Sequence, residues 1–214
     1  MGGLGPPSLI LPWLVAIAMA AVPAKLDWDY REVPESFWVT GSKVGLAVSL
    51  AAYSGFYPIR SLAVFYGLSL LGAGSVGLAS LLGLMGEGDF WAVLAIALTL
   101  PAPPPGGIIP PIYLVLLIAS GAELVARAVI AKRVCGSLAC VRGAEVSCSA
   151  LVGGLRWWFP SGTDVTSAVP SEASVRACQG GREKVRAEPG LPYVTFILLA
   201  LPVSLALEVV LRVA

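Results

Sequence analysis

Gly86-Glu87-Gly88-Asp89 is a short polar turn between two apolar runs, residues 62–85 and 90–100. A carboxylate at the edge of a bilayer is costly, so an aspartate in this position indicates a functional site. The two glycines allow positive φ angles and let a second chain approach closely. We expect Asp89 to be the N-cap of the second run, which Pro101 ends, so at 1.5 Å per residue the helix from residue 89 to residue 100 spans only about 18 Å. Such a short helix predicts a thinned bilayer, or water access, beside Asp89.

The composition is that of a protein with several membrane-spanning helices. Of the 214 residues, 57% are hydrophobic and 13% are charged, whereas soluble domains contain about 25% charged residues. The net charge of +1 offers no basic surface for nucleic acid. The chain has no histidine, which excludes Ser-His and Cys-His nucleophile pairs, HExxH zinc sites and histidine proton shuttles. Acid–base chemistry near neutral pH must therefore come from carboxylates, Lys, Tyr or Cys.

Six apolar runs predict an all-α membrane protein with about six transmembrane helices. Residues 1–134 would contain the first five helices and the site, and residues 191–214 the sixth. Between them, residues 135–190 form the one long polar segment. We expect this segment to be a small cytoplasmic insert that contains β-structure.

The distribution of Lys and Arg predicts which side of the membrane carries the site. If the first helix runs from outside to inside, the short connections on the inside are the more basic ones. The residues concerned are Lys25, Arg31 and Lys43 inside and Arg60 outside. Asp27, at the end of the first apolar run, and Asp89 then both lie at the cytoplasmic face.

Asp27 and Asp89 together suit aspartyl hydrolysis. Two carboxylates within hydrogen-bond reach do not easily both ionise, and the pair titrates as a unit. The ionised member takes a proton from water, and the protonated member polarises a peptide carbonyl. Asp29 is the competing candidate, but in a helix it would point about 200° away from Asp27. Asp27 is nearer the apolar run, so it is the better dehydrated of the two.

Two segments of the chain resemble the signatures of type IV prepilin peptidases. Asp27-Trp28-Asp29-Tyr30-Arg31-Glu32-Val33-Pro34 contains the pattern Asp-x-x-x-Arg-x-Val-Pro, and Gly86-Glu87-Gly88-Asp89 is a GxGD motif. In the residues of the first segment and in its small size, the chain resembles the archaeal branch of the family, which contains the preflagellin (archaellin) and prepilin peptidases. Presenilin and signal peptide peptidase also carry GxGD, but they are larger and have a Pro-Ala-Leu element without a match here.

The resemblance implies a membrane-embedded aspartic endopeptidase at the cytoplasmic face of the cell membrane. It would remove the short N-terminal leader of pilin-like or archaellin-like precursors, with Asp27 and Asp89 as catalytic residues and Gly86, Gly88 and Arg31 supporting them. The partners implied are these precursors and the lipid bilayer, without nucleic acid, metal or cofactor. Bacterial relatives also N-methylate the new terminus and carry a cysteine-rich insert near the N-terminus. That insert is absent from this sequence, so we expect no methylation.

The main alternative is a small ion- or proton-coupled membrane transporter. In a transporter, Asp27, Asp89 and Glu123 would lie in series through the membrane rather than together at one face. A structural membrane subunit without any chemistry is a further alternative.

Other features of the sequence have structural interpretations. Ser69, Ala73 and Gly77 recur every four residues, a spacing that lets transmembrane helices pack closely. Glu123 and Arg127 are four residues apart, which predicts an ion pair on one helix face, and the same holds for Glu208 and Arg212. The tryptophans that we expect as anchors at the membrane interface are Trp13, Trp28, Trp38 and Trp91.

The four cysteines do not have the spacing of a metal site. Cys135, Cys140, Cys148 and Cys178 form no CxxC pair, so zinc binding is only weakly indicated. On the cytoplasmic side they are expected to be free thiols, except in a hyperthermophile, where intracellular disulfides occur.

Overall fold

The computed structural model describes residues 9–30, 33–82, 85–105, 107–137, 140, 143–153, 158–160, 170–179 and 183–213. It divides the chain into two compact units. The helical unit consists of Met1–Ser120 and Tyr193–Ala214, and the insert unit of Gly121–Pro192.

Helices dominate the described residues. The helices are α1 (Ile10–Tyr30), α2 (Glu35–Tyr53), α3 (Ile59–Leu81), α4 (Glu87–Thr99), α5 (Pro111–Cys135), α6 (Cys148–Gly153), α7 (Pro170–Cys178) and α8 (Tyr193–Val213). The strands are β1 (Ala144–Ser147), β2 (Trp158–Pro160) and β3 (Lys184–Pro189).

Among the described residues, four helices are long and apolar enough to cross a membrane. They are α1, α3, α5 and α8, with candidate spans Ile10–Asp29, Ile59–Leu81, Pro111–Val134 and Tyr193–Val210. The remaining two of the six predicted spans are helices, α2 and α4, but they are not both long enough and apolar enough to be candidate spans. α2 is less apolar and includes Glu35 and Lys43, and α4 has only 13 residues.

The short helix α4 lies at the centre of the helical unit. It packs against α1, α2, α3 and α8, so it is apolar around its whole circumference, as expected for a buried helix. A Cβ added to Gly45 of α2 would overlap the Thr99 hydroxyl. A Cβ added to Gly77 of α3 would lie 2.9 Å from Phe90 Cδ2. Glycine at these two positions therefore lets both neighbouring helices come close to α4.

The predicted packing face of α3 is confirmed. Ser69 and Ala73 are fully buried, and Gly77 lies against the ring of Phe90. Ser69 and Gly77 therefore face α4 and the segment that follows it, and Ala73 between them is buried, as small residues at this spacing predict.

The contact at Gly45 predicts a stability effect. Gly45→Ala is expected to lower the thermal denaturation midpoint, because overpacking of this kind costs about 1–3 kcal/mol. Gly74→Ala on α3 is the matched control, since nothing lies within 4 Å of a Cβ at Gly74. Replacing a helical glycine there should stabilise the protein by about 0.5–1 kcal/mol. Equal midpoints for the two variants in detergent would contradict this account of the α2–α4 contact.

Hydroxyl groups from neighbouring helices donate hydrogen bonds to backbone carbonyls at the C-terminal end of α4. A helix leaves its last carbonyls without intrahelical partners, and the prolines that follow α4 have no N–H to offer. Ser49 donates to the Leu98 carbonyl at 2.9 Å, and Ser69 donates to the Pro101 carbonyl at 2.9 Å. These bonds satisfy backbone groups that lipid cannot satisfy, and they allow α4 to end inside the bundle.

The insert unit contains the expected β-structure. Its three strands form an antiparallel sheet in the order β1-β3-β2. A small core forms around four buried residues, Val146, Leu151, Trp158 and Ala187.

Two of the cysteines in the insert unit form a disulfide. Cys148 and Cys178 are bonded, with their Cα atoms 5.7 Å apart, whereas Cys140 is free. For the bonded pair, the expectation of free thiols is wrong and the disulfide alternative applies. The two residues lie at the start of α6 and the end of α7, and these helices pack together.

The tryptophans do not all act as interfacial anchors. Trp13 and Trp38 are each only 1% exposed and belong to the core of the helical unit, so the interfacial prediction is wrong for both. Trp28 is 46% exposed, which suits an anchor. The rings of Trp13 and Trp38 are apolar, so the interior of the bundle suits them as well as the membrane interface does.

Candidate active site

Asp89 lies in the first turn of α4, but it is not the N-cap that its position before the apolar run suggests. Gly86 is the N-cap, with φ −72° and ψ 150°, and the helix begins at Glu87. The Asp89 carboxylate turns back and its Oδ2 accepts a hydrogen bond from the Gly86 N–H at 3.1 Å. One of the orphan N–H groups at the helix start is thus satisfied from the third helical position, as in a capping box.

The two glycines of this motif have different environments. Neither adopts a positive φ, a property that only Gly136 and Gly143 have among the described residues. A Cβ on Gly86 would lie 3.3 Å from Asp89 Oδ2, which is a tight contact. A Cβ on Gly88 would meet nothing within 4 Å. Gly86 therefore makes room for the Asp89 carboxylate, whereas the fold itself sets no steric requirement at Gly88.

Asp27 lies near the end of α1 and bonds to the start of α8. The residue is 9% exposed, and its Oδ2 accepts a hydrogen bond from the Val194 N–H at 3.2 Å. Next to it, the Thr195 hydroxyl donates to the Ala24 carbonyl at 3.2 Å. The carboxylate therefore serves as a partner for an unsatisfied N–H in the first turn of α8.

Asp29 points in a different direction from Asp27. Its Oδ2 lies 3.1 Å from Lys25 Nζ, and its side chain is 32% exposed. The prediction that Asp27 is the better dehydrated carboxylate is therefore confirmed.

Both candidate carboxylates lie at the same end of the helical unit. The chain leaves α1 close to Asp27, passes along α2 and α3, and returns to this end where α4 begins, with Asp89 in its first turn. α1 packs against α4, and α8 packs against both. Each carboxylate is bonded to an N–H at a helix start, where the partial positive charge of the helix favours an anion.

The remaining residues that the sequence singled out are Arg31 and the two carboxylates Glu123 and Glu208. Arg31 lies outside the described residues. Glu123 belongs to the insert unit and binds Arg127 in its own helix, with Nη2 and Nε of the arginine 2.6 and 2.9 Å from Oε1. This ion pair confirms the local interpretation of Glu123. For Glu208, the side chain of the predicted partner Arg212 lies outside the described residues.

A cluster of three or more His, Cys, Asp and Glu side chains that could hold a metal ion is absent from the described part of the chain.

The start of α8 is the element that the sequence did not identify as part of the site. Tyr193 is buried, and its hydroxyl shares a hydrogen bond with Ser120 Oγ at 2.9 Å, next to the Val194 N–H that binds Asp27. Pro192 before the helix signals a helix start. Nothing local in the sequence links that start to an aspartate 167 residues earlier.

Comparison with known protein families gives a match over the part of the chain that contains these residues. Residues 13–127 match the model of the type IV leader peptidase family, and this range includes both Asp27 and Asp89. No curated protein and no solved structure matches the chain. Since the match covers just over half of the 214 residues and contains all of α2, α3 and α4, the chain belongs to the type IV leader peptidase family.

Proposed function

We propose that the protein is a membrane-embedded aspartic endopeptidase that removes the N-terminal leader of prepilin-like or preflagellin-like precursors. Membership of the leader peptidase family supports a protease acting on precursors of this kind. The observation that carries the aspartic assignment is the placement of Asp27 and Asp89 at one end of the helical unit. Each carboxylate is bonded to the first turn of a different helix.

In the proposed mechanism the two carboxylates share one proton and titrate as a pair. The ionised carboxylate removes a proton from a water molecule, whose oxygen attacks the carbonyl carbon of the scissile peptide bond. The protonated carboxylate donates to the carbonyl oxygen in the tetrahedral intermediate. The C–N bond then breaks, and the departing nitrogen takes a proton from the pair. The backbone bonds to Gly86 and Val194 hold the two side chains in place during these steps.

The proposed topology has six crossing helices, with α2 and α4 inside the bundle in addition to the four apolar spans. Lys25 near the end of α1 and Arg31 after it support placing the site end of the helical unit at the cytoplasmic face. Precursors whose leader lies on that side would present their cleavage site there.

Incubation of the purified protein in detergent with a synthetic pilin-like precursor tests this proposal directly. We expect a shortened product whose new N-terminus, read by mass spectrometry, lies at the leader junction. Intact precursor with the wild-type protein, under conditions in which the protein remains folded, would contradict the assignment.

The open space at Gly88 predicts an effect on activity without an effect on folding. Gly88→Ala is expected to reduce cleavage about tenfold, or ~1.4 kcal/mol in the barrier, because the added methyl group occupies the space next to Asp89 that an extended substrate needs. The thermal denaturation midpoint should not fall, since a Cβ there meets no atom. Gly67→Ala on α3, also in open space, is the matched control and should cleave normally. Normal cleavage by Gly88→Ala would show that the substrate does not pass this position.

Glu123→Gln distinguishes the peptidase from the transporter alternative. Glu123 is occupied by Arg127 within its own helix, so cleavage should stay near the wild-type rate. The free energy of unfolding should fall by no more than the contribution of an ion pair on a helix surface, about 0.3–0.5 kcal/mol. Loss of cleavage in Glu123→Gln, together with normal cleavage in Asp27→Asn, would show that the second carboxylate has been assigned wrongly.

A further inference from the structure

Trp38 and Ser42 of α2 each carry a buried polar atom that the proposed mechanism does not use. Neither Trp38 Nε1 nor Ser42 Oγ has a hydrogen-bond partner among the described residues, and Trp38 is only 1% exposed. Leaving a buried polar group unbonded destabilises a protein, and such groups are rare in folded proteins. Two of them one helical turn apart lie on the same face and therefore indicate a shared partner.

These two residues lie on the face of α2 that contacts α4. The spacing from Trp38 through Ser42, Gly45 and Ser49 alternates between four and three residues, which keeps all four on one side of the helix. At the far end of this row, Gly45 packs on Thr99 and Ser49 donates to the Leu98 carbonyl. The Phe37 ring lies edge-on to Trp38, with ring centroids 5.8 Å apart, and fixes the orientation of the indole.

The contacts along α3 show that α2 and α4 run in the same direction. Short connections join α2 to α3 and α3 to α4, so each helix reverses the direction of the one before. Gly77, late in α3, faces Phe90 at the start of α4, whereas Ser69, earlier in α3, reaches Pro101 beyond its end. α3 is thus antiparallel to α4, and α2 is parallel to it.

This direction places Trp38 and Ser42 beside the part of α4 that carries Asp89. Ser49 is level with Leu98. Both helices rise equally per residue, so counting back from this contact brings Ser42 level with the second turn of α4 and Trp38 level with the first. Counting back from the contact of Gly45 with Thr99 brings each residue between one and two turns further along α4, so Trp38 lies beside the first two turns. Asp89 belongs to that first turn.

We propose, on the basis of the aspartic peptidase function argued above, that Trp38 and Ser42 hold a water molecule between α2 and α4 and deliver it to the two aspartates. The indole N–H only donates, whereas a hydroxyl donates and accepts, so one water can bond to both and still offer a proton to a carboxylate. A buried water typically makes about three hydrogen bonds. Hydrolysis consumes one water molecule per peptide bond. In an apolar bundle, the indole N–H and the hydroxyl provide a binding site for that water. Trp38 and Ser42 are positioning residues in this scheme.

Substitutions at Ser42 separate the hydroxyl from the volume of the side chain. Threonine retains the hydroxyl, and valine has nearly the same shape without it. We expect Ser42→Thr to keep kcat near the wild-type value, and Ser42→Val to lower kcat about tenfold with little change in KM or in the thermal denaturation midpoint. Equal kcat values for the two variants, high or low, would overturn the proposal, because the hydroxyl would then be irrelevant to the rate.

A second comparison uses Trp38→Phe, which removes the indole N–H and keeps an aromatic ring. Its kcat should fall by a similar factor. The double variant with Ser42→Val should fall no further than the worse single variant, because both residues act on the same water. Losses that multiply in the double variant would overturn a shared water.

The same assay separates this inference from the function on which it rests. Inactive Asp89→Asn together with fully active Ser42→Val would remove the water site and leave the peptidase assignment intact. Active Asp89→Asn would remove the aspartic mechanism itself.

Discussion

Asp89→Asn is expected to reduce cleavage of a pilin-like precursor about 10³-fold or more, within the range that a general acid or base contributes, while the protein remains folded. Asparagine has nearly the shape of aspartate, and its carbonyl oxygen can still accept the hydrogen bond from the Gly86 N–H. The start of α4 should therefore be unchanged. What is lost is the ability of the side chain to take up and release a proton.

A neighbouring carboxylate provides the matched control for Asp89. Glu87 lies in the same turn and is exposed, so Glu87→Gln removes a negative charge without touching the Gly86 bond. Its cleavage rate should stay close to that of the wild type. A normal rate in a well-folded Asp89→Asn protein, measured by product mass over time, would remove the aspartyl mechanism.

Asp27→Asn is expected to abolish cleavage to a similar extent, whereas Asp29→Asn should cause only a modest loss. The amide oxygen at position 27 can still accept the Val194 N–H, so α8 should stay attached to α1. At position 29 the substitution removes only a partly exposed ion pair with Lys25, worth about 0.3–0.5 kcal/mol on a helix.

The comparison is made with one precursor and both single variants, with thermal denaturation as the folding control. An inactive Asp29→Asn beside an active Asp27→Asn would reverse the assignment. The double variant Asp27→Asn/Asp89→Asn gives a further check. In the proposed mechanism the two carboxylates act as one unit, so removing both should cost little more than removing either, as is usual for residues of one catalytic group.

The residues of the first turn of α4 illustrate what can be predicted locally and what cannot. The apolar run and Pro101 were sufficient to predict a short helix preceded by a functional aspartate. The position of Asp89 within the first turn was not predictable, because the helix can begin at Gly86 as well as at Asp89. The bond from the carboxylate back to Gly86 selects the earlier start.

The sequence by itself determined the membrane class, the order of the helices and the local pairs. Low charge, the apolar runs and the absence of histidine require no tertiary information. The pairing of Glu123 with Arg127 follows from helical spacing alone. The Asp-x-x-x-Arg-x-Val-Pro and GxGD patterns were sufficient to point to the leader peptidase family.

Only the tertiary structure decided which apolar surfaces face the protein and which distant groups meet. Lipid chains are about as apolar as a protein interior, so hydropathy cannot tell a buried Trp38 from an interfacial one. Nor can it show that the short helix α4 lies at the centre of the helical unit. The bond from Val194 to Asp27 and the disulfide between Cys148 and Cys178 depend on contacts across long stretches of chain. The bond to Asp27 satisfies a free N–H at the start of a packed helix, and the neighbouring helices of the bundle meet that requirement together, not any one segment alone.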